Sequence, residues 1–429
     1  MTNLGQLYRA GGLEAVRAEL ASRYPGWIAE IKVAPDAAPA DLLGKALVGA
    51  VCAGDQGNAA RLAQRLVPDA PALTPLRLSP LATLSAYCAA RGLRCEEVLA
   101  STQVKLAASS SYSLPHTYDT GPAVFASIPG AQYIPGWDTV IGEDGTILSD
   151  TGYMPLEVAT RAFATFRVQA VDSLVHFSPA EERYFDGEVL FLSAPDHSVG
   201  HWMVDFLPRL RGLEVLAGRK VRLAVPTDLE PRYAEMLLAF GFRDEDILRC
   251  VPGVRHRFRL CHVYKPGGSE PPNPVHVSFV RAGLMRGESR RLSPAKRVFL
   301  ARTSVGTRRI SNQVELDELL AERGFITADP ADLDLAAQKA LLGDAAVILG
   351  PFGSNLFGMY LAPQGCTVMV LMNAALEDPI FAPTTALLGM THQFVLCAAA
   401  PGNGGKRPKD RDVVVNCDAL AQQLAAAGA

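Results

Sequence analysis

Short apolar segments alternate with amphipathic helical segments from residue 188 onward. Apolar and β-branched runs predict strands at 188–193, 221–225, 260–264, 297–301, 325–328, 345–349, 367–371 and 394–397. Helical spacing predicts helices over 201–216, 232–240, 313–323, 335–342 and 355–361. Strands that alternate with helices pair in parallel, because each helix carries the chain back to the starting edge of the sheet. The sequence therefore predicts an α/β fold with helices covering parallel sheets.

A stretch rich in proline and glycine, residues 265–274 (KPGGSEPPNP), divides this alternation into two blocks and is the best candidate for a linker. We therefore predict two facing Rossmann-like domains, over 106–265 and 266–429, with a ligand crevice beyond the carboxyl ends of their strands. Before them, residues 1–105 are predicted to form an additional N-terminal α-helical region. Its expected helices lie at 42–53, 59–67 and 81–91.

The composition excludes several classes of protein. The 429 residues include 41 Lys and Arg against 44 Asp and Glu, a net charge of −3, and 49% are hydrophobic. A nucleic-acid binder would carry a basic surplus, and a disordered chain would carry fewer apolar residues. The eight cysteines form no C-x-x-C pair, and neither a signal peptide nor an apolar run long enough to span a membrane is evident. We predict a cytoplasmic protein with no nucleic-acid partner, and leave peripheral membrane association and the oligomeric state open.

Two glycines mark the turn between the predicted strand 345–349 and the next helix. The turn reads GPFGSN and contains Gly350, Pro351, Gly353, Ser354 and Asn355. Glycines let a ligand approach the backbone, and the start of a helix presents N–H groups to an anion such as a phosphate. The alternative is an ordinary tight turn. Neither a Walker lysine nor a G-x-G-x-x-G motif is present, so the turn predicts no dinucleotide cofactor.

A group of polar and basic residues follows the predicted strand 297–301. Arg302 comes directly after the strand, and Arg309 and Asn312 follow in the same loop. An arginine at the carboxyl end of a strand points into the predicted crevice, where its guanidinium suits bidentate contacts with phosphate. Asn312 is also expected to cap the next helix. The alternative is a solvated basic loop balanced by nearby carboxylates.

An imidazole and a carboxylate lie four residues apart on the predicted helix 201–216. This spacing places His201 and Asp205 on one face, near the end of the strand 188–193. One of the two side chains could take a proton while the other orients its partner. The alternative is a pair whose hydrogen bond only satisfies a buried polar residue. His197 and His201 have the H-x-x-x-H spacing, but no H-E-x-x-H glutamate accompanies them, so we predict no metal site.

Taken together, these segments resemble glycosyltransferase family 61, in the bacterial branch linked to capsular polysaccharide synthesis. The resemblance covers about residues 124–371 and rests on HWMVDFLPRL, LARTSVGTRRISNQVEL and AQKALLGDAAVILGPFGSNLFGMYLAPQG. Two positions depart from the family pattern. Gln313 stands where the family has Glu, and Phe352 stands at the centre of the G-P-x-G turn, where many members have His or Ser.

The resemblance implies a GT-B-like fold and an inverting, metal-independent hexosyl- or pentosyltransferase without a cofactor. Its donor would be a nucleotide-sugar, with a UDP-sugar as the first expectation, and its acceptor a hydroxyl of a glycan or another molecule. The domain 106–265 would hold the acceptor, with Asp205 favoured over His201 as the base by a narrow margin. The domain 266–429 would hold the donor through Arg302, Arg309, Asn312, Gly350, Pro351, Gly353, Ser354 and Asn355. The alternative is a non-catalytic nucleotide- or glycan-binding or assembly partner, which would not need His201 and Asp205.

Overall fold

The computed structural model describes residues 47, 50–51, 53–66, 76–105, 117–152, 167–170, 173–177, 179–193, 198–267, 272–288, 295–303, 306–376, 380–402 and 408–427. Strands and helices are both abundant in these residues, which confirms the mixed α/β class. Within these ranges, no helix combines the length and the apolar character needed to cross a membrane.

Strands and helices alternate along most of the described chain. The strands are β1 (Leu76–Ala82), β2 (Cys95–Leu99), β3 (Gln103–Lys105), β4 (Thr117–Asp119), β5 (Ala123–Pro129), β6 (Gln132–Tyr133), β7 (Ile147–Leu148), β8 (Arg167–Ala170), β9 (Ser173–Phe177), β10 (Glu182–Phe191), β11 (Arg222–Pro226), β12 (Ile247–Cys250), β13 (Arg255–Lys265), β14 (Lys296–Leu300), β15 (Phe325–Ala328), β16 (Ala345–Pro351), β17 (Thr367–Asn373), β18 (Thr391–Ala399) and β19 (Val413–Val414). The main helices are Gln56–Leu66, Leu84–Ala90, a composite helix over 199–215, Pro231–Phe240, Pro274–Leu284, Gln313–Glu322, Leu335–Leu342, Ser354–Leu361, Phe381–Leu387 and Cys417–Ala426.

Two large sheets organise the described part of the chain. The first has the strand order β12-β11-β10-β13-β5-β2, in which β10 to β13 are parallel and β5 and β2 are antiparallel. The second has the order β15-β14-β16-β17-β18-β19 and is parallel up to β18. The chain order reverses between β10 and β13 in one sheet and between β14 and β16 in the other. In open α/β sheets, ligands bind beyond the carboxyl ends of strands at such reversals.

One apolar core joins the two sheets. Leu190 and Val225 of the first sheet and Val298 and Ile348 of the second belong to the same cluster of buried side chains, with Val277 of the helix Pro274–Leu284. Separate clusters cover the opposite face of each sheet. Because apolar area buried between the sheets favours their association, this core fixes the two carboxyl edges relative to each other.

The predicted linker is a packed connection at both of its described ends. Asn273 is 1% exposed, and its side chain accepts a hydrogen bond from Val275 N and donates one to Thr120 Oγ1 at 3.0 Å. Gly267 packs so closely on the carbonyls of Thr120 and Gly121 that a β-carbon there would overlap them. The prolines that suggested a linker therefore lead into a helix, Pro274–Leu284, which the sequence pattern did not predict.

The predicted N-terminal helical region over 1–105 contains strands as well as helices in its described carboxyl part. The helices Gln56–Leu66 and Leu84–Ala90 match the predictions at 59–67 and 81–91, but β1, β2 and β3 lie among them or follow them. The predicted helix 42–53 falls largely outside the described residues. β1 pairs with β9, almost a hundred residues away, and β2 pairs with β5. Local periodicity misses these strands because they depend on such long-range pairing.

A partly exposed cluster of charged side chains on the first sheet gives the protein a predicted acid sensitivity. The carboxylate of Glu188 accepts hydrogen bonds from Arg219 at 2.7 Å, Arg259 at 3.3 Å and His262 at 3.2 Å. The bond from Arg219, supported by the one from His262, lowers the pKa of Glu188 to about 2 from its ordinary 4.5, although burial opposes the shift. A carboxyl whose pKa is lower in the folded state stabilises the fold above its unfolded pKa.

We therefore expect the free energy of unfolding to fall as the pH drops from 4.5 to about 2 and Glu188 takes up a proton. Glu188→Gln should show a shallower loss over this window, measured by urea unfolding at a series of pH values. Glu181→Gln removes an exposed carboxylate just before β10 and should follow the wild-type curve. Equal pH dependence in wild type and Glu188→Gln would contradict this role of Glu188.

Candidate functional site

The composite helix that follows β10 changes its geometry at the predicted His–Asp pair. It is α-helical over Val199–His201, widens to a π-helix over Trp202–Phe206 and tightens to a 3₁₀ helix over Leu207–Arg211. Pro208 has no N–H to donate, and Leu207 N–H donates to the carbonyl of Trp202, five residues earlier. Single π-turns of this kind occur often at functional positions. We call the segment 202–206 the π-turn.

The structure brings His201 and Asp205 together as the sequence predicts. Nδ1 of His201 lies 2.9 Å from Oδ2 of Asp205. Asp205 is 5% exposed, whereas about a third of the His201 side chain is exposed. A buried carboxylate that accepts Nδ1–H fixes the imidazole tautomer with its basic lone pair on Nε2. This geometry suits His201 as the group that takes a proton and Asp205 as the group that orients it.

The glycine turn, residues 350–355, joins the end of β16 to a 3₁₀ helix, Ser354–Leu361, where an α-helix was expected. Asn355 Nδ2 donates to the carbonyl of Leu300 at 2.9 Å and so ties the turn to the end of β14. A β-carbon at Gly350 would lie 2.9 Å from that same carbonyl, so only glycine lets the two strand ends approach this closely. Oδ1 of Asn355 is buried and has no hydrogen-bond partner among the described residues.

Arg302 lies directly over the glycine turn. A methyl group at Gly353 would overlap the guanidinium of Arg302, so the missing side chain makes the space that this group occupies. Nε of Arg302 is buried and lacks a hydrogen-bond partner within the described ranges. Burial, followed by the nearby charge of Arg308, lowers the pKa of Arg302 to about 10, although Asp329 opposes the shift. A desolvated cation at the start of a helix is suited to bind an anion.

Besides Arg302, the basic loop after β14 brings Arg308 to the glycine turn, whereas the sequence favoured Arg309. Arg308 has φ of 59° and donates from Nη1 to the carbonyl of Phe352 at 3.1 Å, with its guanidinium over the Phe352 ring. Lys409 and Arg411 line the same narrow cleft as Arg308 and Pro351. The sequence carried no signal for Arg308 over Arg309, because the choice depends on the left-handed backbone conformation at Arg308.

Arg309 and Asn312 contact residues away from the glycine turn. The Arg309 side chain is 64% exposed and pairs with Asp412 at 3.3 Å. Asn312 stands at the start of the helix Gln313–Glu322, but its side chain makes no capping hydrogen bond there and instead binds the backbone of Val415 through both Nδ2 and Oδ1. The structure thus joins Arg302 to the glycine turn, while Arg309 and Asn312 tie the loop to the segment before the last helix.

The His–Asp pair and the glycine turn meet at Gly200. A β-carbon on Gly200 would lie 2.6 Å from the Phe357 ring and 3.4 Å from Cβ of Ser354, so the two elements touch through this glycine. Burial raises the pKa of Tyr360, and the neighbouring carboxylate of Asp205 adds to the shift. The carboxyl edges of the two sheets therefore meet where the predicted proton acceptor and the predicted anion site lie. His197 is outside the described residues.

Gly353→Ala tests whether the position of Arg302 matters. The new methyl group displaces the guanidinium of Arg302 and lies 2.9 Å from Oδ1 of Asn355, so we expect a loss in unfolding free energy of about 1 kcal/mol. Because the guanidinium moves away from the turn, affinity for a nucleoside diphosphate should fall by about tenfold in calorimetry. Gly306→Ala, where a β-carbon meets open space in the neighbouring loop, is the matched control and should bind normally. Unchanged affinity in Gly353→Ala would remove this position from the anion site.

The central part of the chain matches a known family. Residues 199–369 match the family model described as Glycosyltransferase 61. The match begins at the composite helix and includes His201, Asp205, Arg302 and the whole glycine turn. No curated protein matches the chain. The match supports the resemblance to glycosyltransferase family 61 and a glycosyltransferase activity for this segment.

Proposed function

We propose that the protein is an inverting hexosyl- or pentosyltransferase of the cytoplasm that moves a sugar from a nucleotide-sugar, first of all a UDP-sugar, to a hydroxyl of a glycan or another acceptor. Surface polysaccharide synthesis, as in the bacterial capsular branch, is the proposed setting. One observation carries the proposal: a histidine oriented by a buried carboxylate meets an arginine-covered glycine turn at Gly200. The two sheets, with parallel strands facing one crevice, are compatible with a GT-B-like arrangement.

His201 is proposed as the base on the acceptor side. Inversion needs one in-line displacement, in which the acceptor oxygen forms a bond to the anomeric carbon as the bond from that carbon to the phosphate oxygen breaks. Nε2 of His201 takes the hydroxyl proton, and Asp205 stabilises the imidazolium that forms. The exposed fraction of His201 and the burial of Asp205 favour this order of roles over Asp205 as the base.

The second sheet is proposed to hold the donor. The leaving nucleoside diphosphate receives the electron pair of the broken bond, and cations and N–H groups fixed in advance stabilise that charge. Arg302, Gly350, Pro351, Gly353, Ser354 and Asn355 would surround the phosphates, with Arg308 beside them. Arg309 and Asn312 are predicted from the sequence as donor ligands. They would then contribute either by holding the basic loop in place or by contacting the donor once that loop has moved, and variants at these positions test that role.

Transfer is proposed to proceed without an essential metal ion, since Arg302, with Arg308 beside it, would balance the charge of the phosphates and the backbone of the glycine turn would donate hydrogen bonds to them. Activity should therefore persist in excess EDTA at the level of the untreated enzyme. The measurement is release of nucleoside diphosphate with and without chelator. A complete loss that Mg²⁺ or Mn²⁺ restores would contradict the metal-independent part of the proposal.

The deciding experiment is a panel of nucleotide-sugars tested for thermal stabilisation and for slow hydrolysis. A ligand that binds the folded state raises the melting temperature, so stabilisation identifies the donor. We expect one nucleotide class to stabilise the protein and its sugar to be released or transferred. Stabilisation without any hydrolysis or transfer would instead favour a non-catalytic nucleotide-binding or assembly protein.

A further inference from the structure

A buried arginine lies beneath the His–Asp pair. Arg209 is 2% exposed and has its guanidinium 4.7 Å from the centre of the Phe206 ring and 5.6 Å from that of Phe191. Its Nη1 lies 3.5 Å from Oδ1 of Asp138, which is 6% exposed. A buried guanidinium is costly unless its charge is balanced and its N–H groups are used. Asp138 supplies the opposite charge, and the remaining contacts of Arg209 show what the group is used for.

Arg209 donates to the backbone at two separate points. Nε donates to the carbonyl of Asp205 at 3.2 Å, and Nη1 donates to the carbonyl of Leu192 at 3.4 Å. The first carbonyl belongs to the π-turn and the second to the chain just after β10. One rigid side chain therefore connects the backbone of Asp205 to the carboxyl end of the central strand. Arginine suits this task because its planar fork fixes the angles between its donors.

Both anchoring points are irregular in their backbone geometry. The π-turn precedes Pro208, which cannot donate the hydrogen bond that would continue an α-helix. Next to Leu192, Ser193 is fully buried and has φ of 60°, a conformation that a residue with a side chain adopts only where its surroundings enforce it. Tyr133 Oη lies 3.4 Å from Ser193 Oγ and closes the same corner. Side-chain contacts therefore join two segments whose backbone geometry is irregular.

We propose that Arg209, with its charge balanced by Asp138, is a positioning residue that holds the π-turn and so sets the angle at which Asp205 meets His201. This inference rests on the proposed function, because it assigns the role of Asp205 to catalysis. The proposal predicts that loss of the Arg209 guanidinium lowers turnover more than it weakens donor binding, because the donor is proposed to bind the second sheet.

Arg209→Lys is the main test, because lysine keeps the charge opposite Asp138 but lacks the fork. Amide hydrogen exchange of a peptide covering 202–207 should become faster by about tenfold, while exchange in β11 stays unchanged. The kcat should fall by about tenfold to a hundredfold, with the KM for the donor unchanged. Arg222→Lys is the matched control: Arg222 donates to the carbonyl of Ile247 and lies over the Phe185 ring, but at the amino end of β11. It should change neither quantity.

A double variant separates positioning from charge balance. Asp138→Asn with Arg209→Gln removes both buried charges, so it should fold even where a single change leaves an unpaired charge. We expect its kcat to stay low. The proposal would be overturned by a wild-type kcat in a folded double variant. It would also be overturned if Arg209→Lys showed unchanged exchange of 202–207, or faster exchange there with an unchanged kcat. If the wild type turns over no nucleotide-sugar, the proposed function fails, and exchange alone still decides whether Arg209 holds the π-turn.

Discussion

His201→Ala and Asp205→Asn are expected to lower kcat by about a hundredfold to ten-thousandfold, the range that a positioned proton acceptor contributes. Affinity for the nucleoside diphosphate should stay unchanged in both, because the donor is proposed to bind the second sheet. The structure places Nδ1 of His201 2.9 Å from the Asp205 carboxylate. Without the imidazole no base faces the acceptor, and without the carboxylate the tautomer is no longer fixed. Steady-state kinetics and calorimetry measure the two effects separately.

Added imidazole distinguishes the base from the group that orients it. It should restore part of the turnover of His201→Ala, whose missing group it replaces, and none of that of Asp205→Asn. Glu214→Gln changes a carboxylate that pairs with Arg211 on the same composite helix, and it should keep the wild-type kcat. If His201→Ala kept wild-type turnover while Asp205→Asn lost it, the base would be Asp205. Near-normal turnover in both variants would contradict the whole assignment on the acceptor side.

The His–Asp pair was predictable because its geometry is local. Side chains four residues apart meet on a helix, and here they also meet across the junction with the π-turn. The widening itself had a signal in Pro208, since a proline inside a helix removes a backbone donor. Arg209 had no such signal, because its partner Asp138 is remote in sequence and reaches it only in the folded protein.

The same distinction between local and long-range information explains which strands could be predicted from the sequence. The predicted strands from 188 onward correspond to β10, β11 and β13 to β18, because a buried parallel strand is a continuous apolar run. β1 and β2 pair with strands that come later in the chain, so the sequence interpretation, which predicted only helices before residue 105, missed them. The prolines before the helix Pro274–Leu284 had two readings, as a linker or as a helix start. Only the packing of Asn273 against Thr120 separates them.

Arg302→Ala is expected to weaken donor binding by about tenfold to a hundredfold, since a hydrogen-bonded contact with a charged group contributes about 1.5–3 kcal/mol. Its kcat should fall by a further factor of about a hundred, because charge on the leaving diphosphate grows in the transition state. The reason lies in the position of Arg302 over Gly353, with a buried Nε that has no hydrogen-bond partner in the described part of the chain. Calorimetry with the nucleoside diphosphate and steady-state kinetics give the two numbers.

Arg297→Ala is the matched control, because Arg297 lies at the amino end of β14, the strand that Arg302 follows, and donates to the carbonyl of Arg323. It should bind the donor normally even where it lowers thermal stability. Arg309→Ala removes an exposed pair with Asp412, and such pairs contribute between zero and about 1 kcal/mol to stability, so any large loss of donor affinity there would come from direct contact with the donor. If donor affinity were lost in Arg309→Ala but not in Arg302→Ala, the phosphates would bind at the outer face of the basic loop and not at the glycine turn. Loss in Arg302→Ala alone would place the phosphates over Gly353, where the acceptor hydroxyl held by His201 could reach the anomeric carbon.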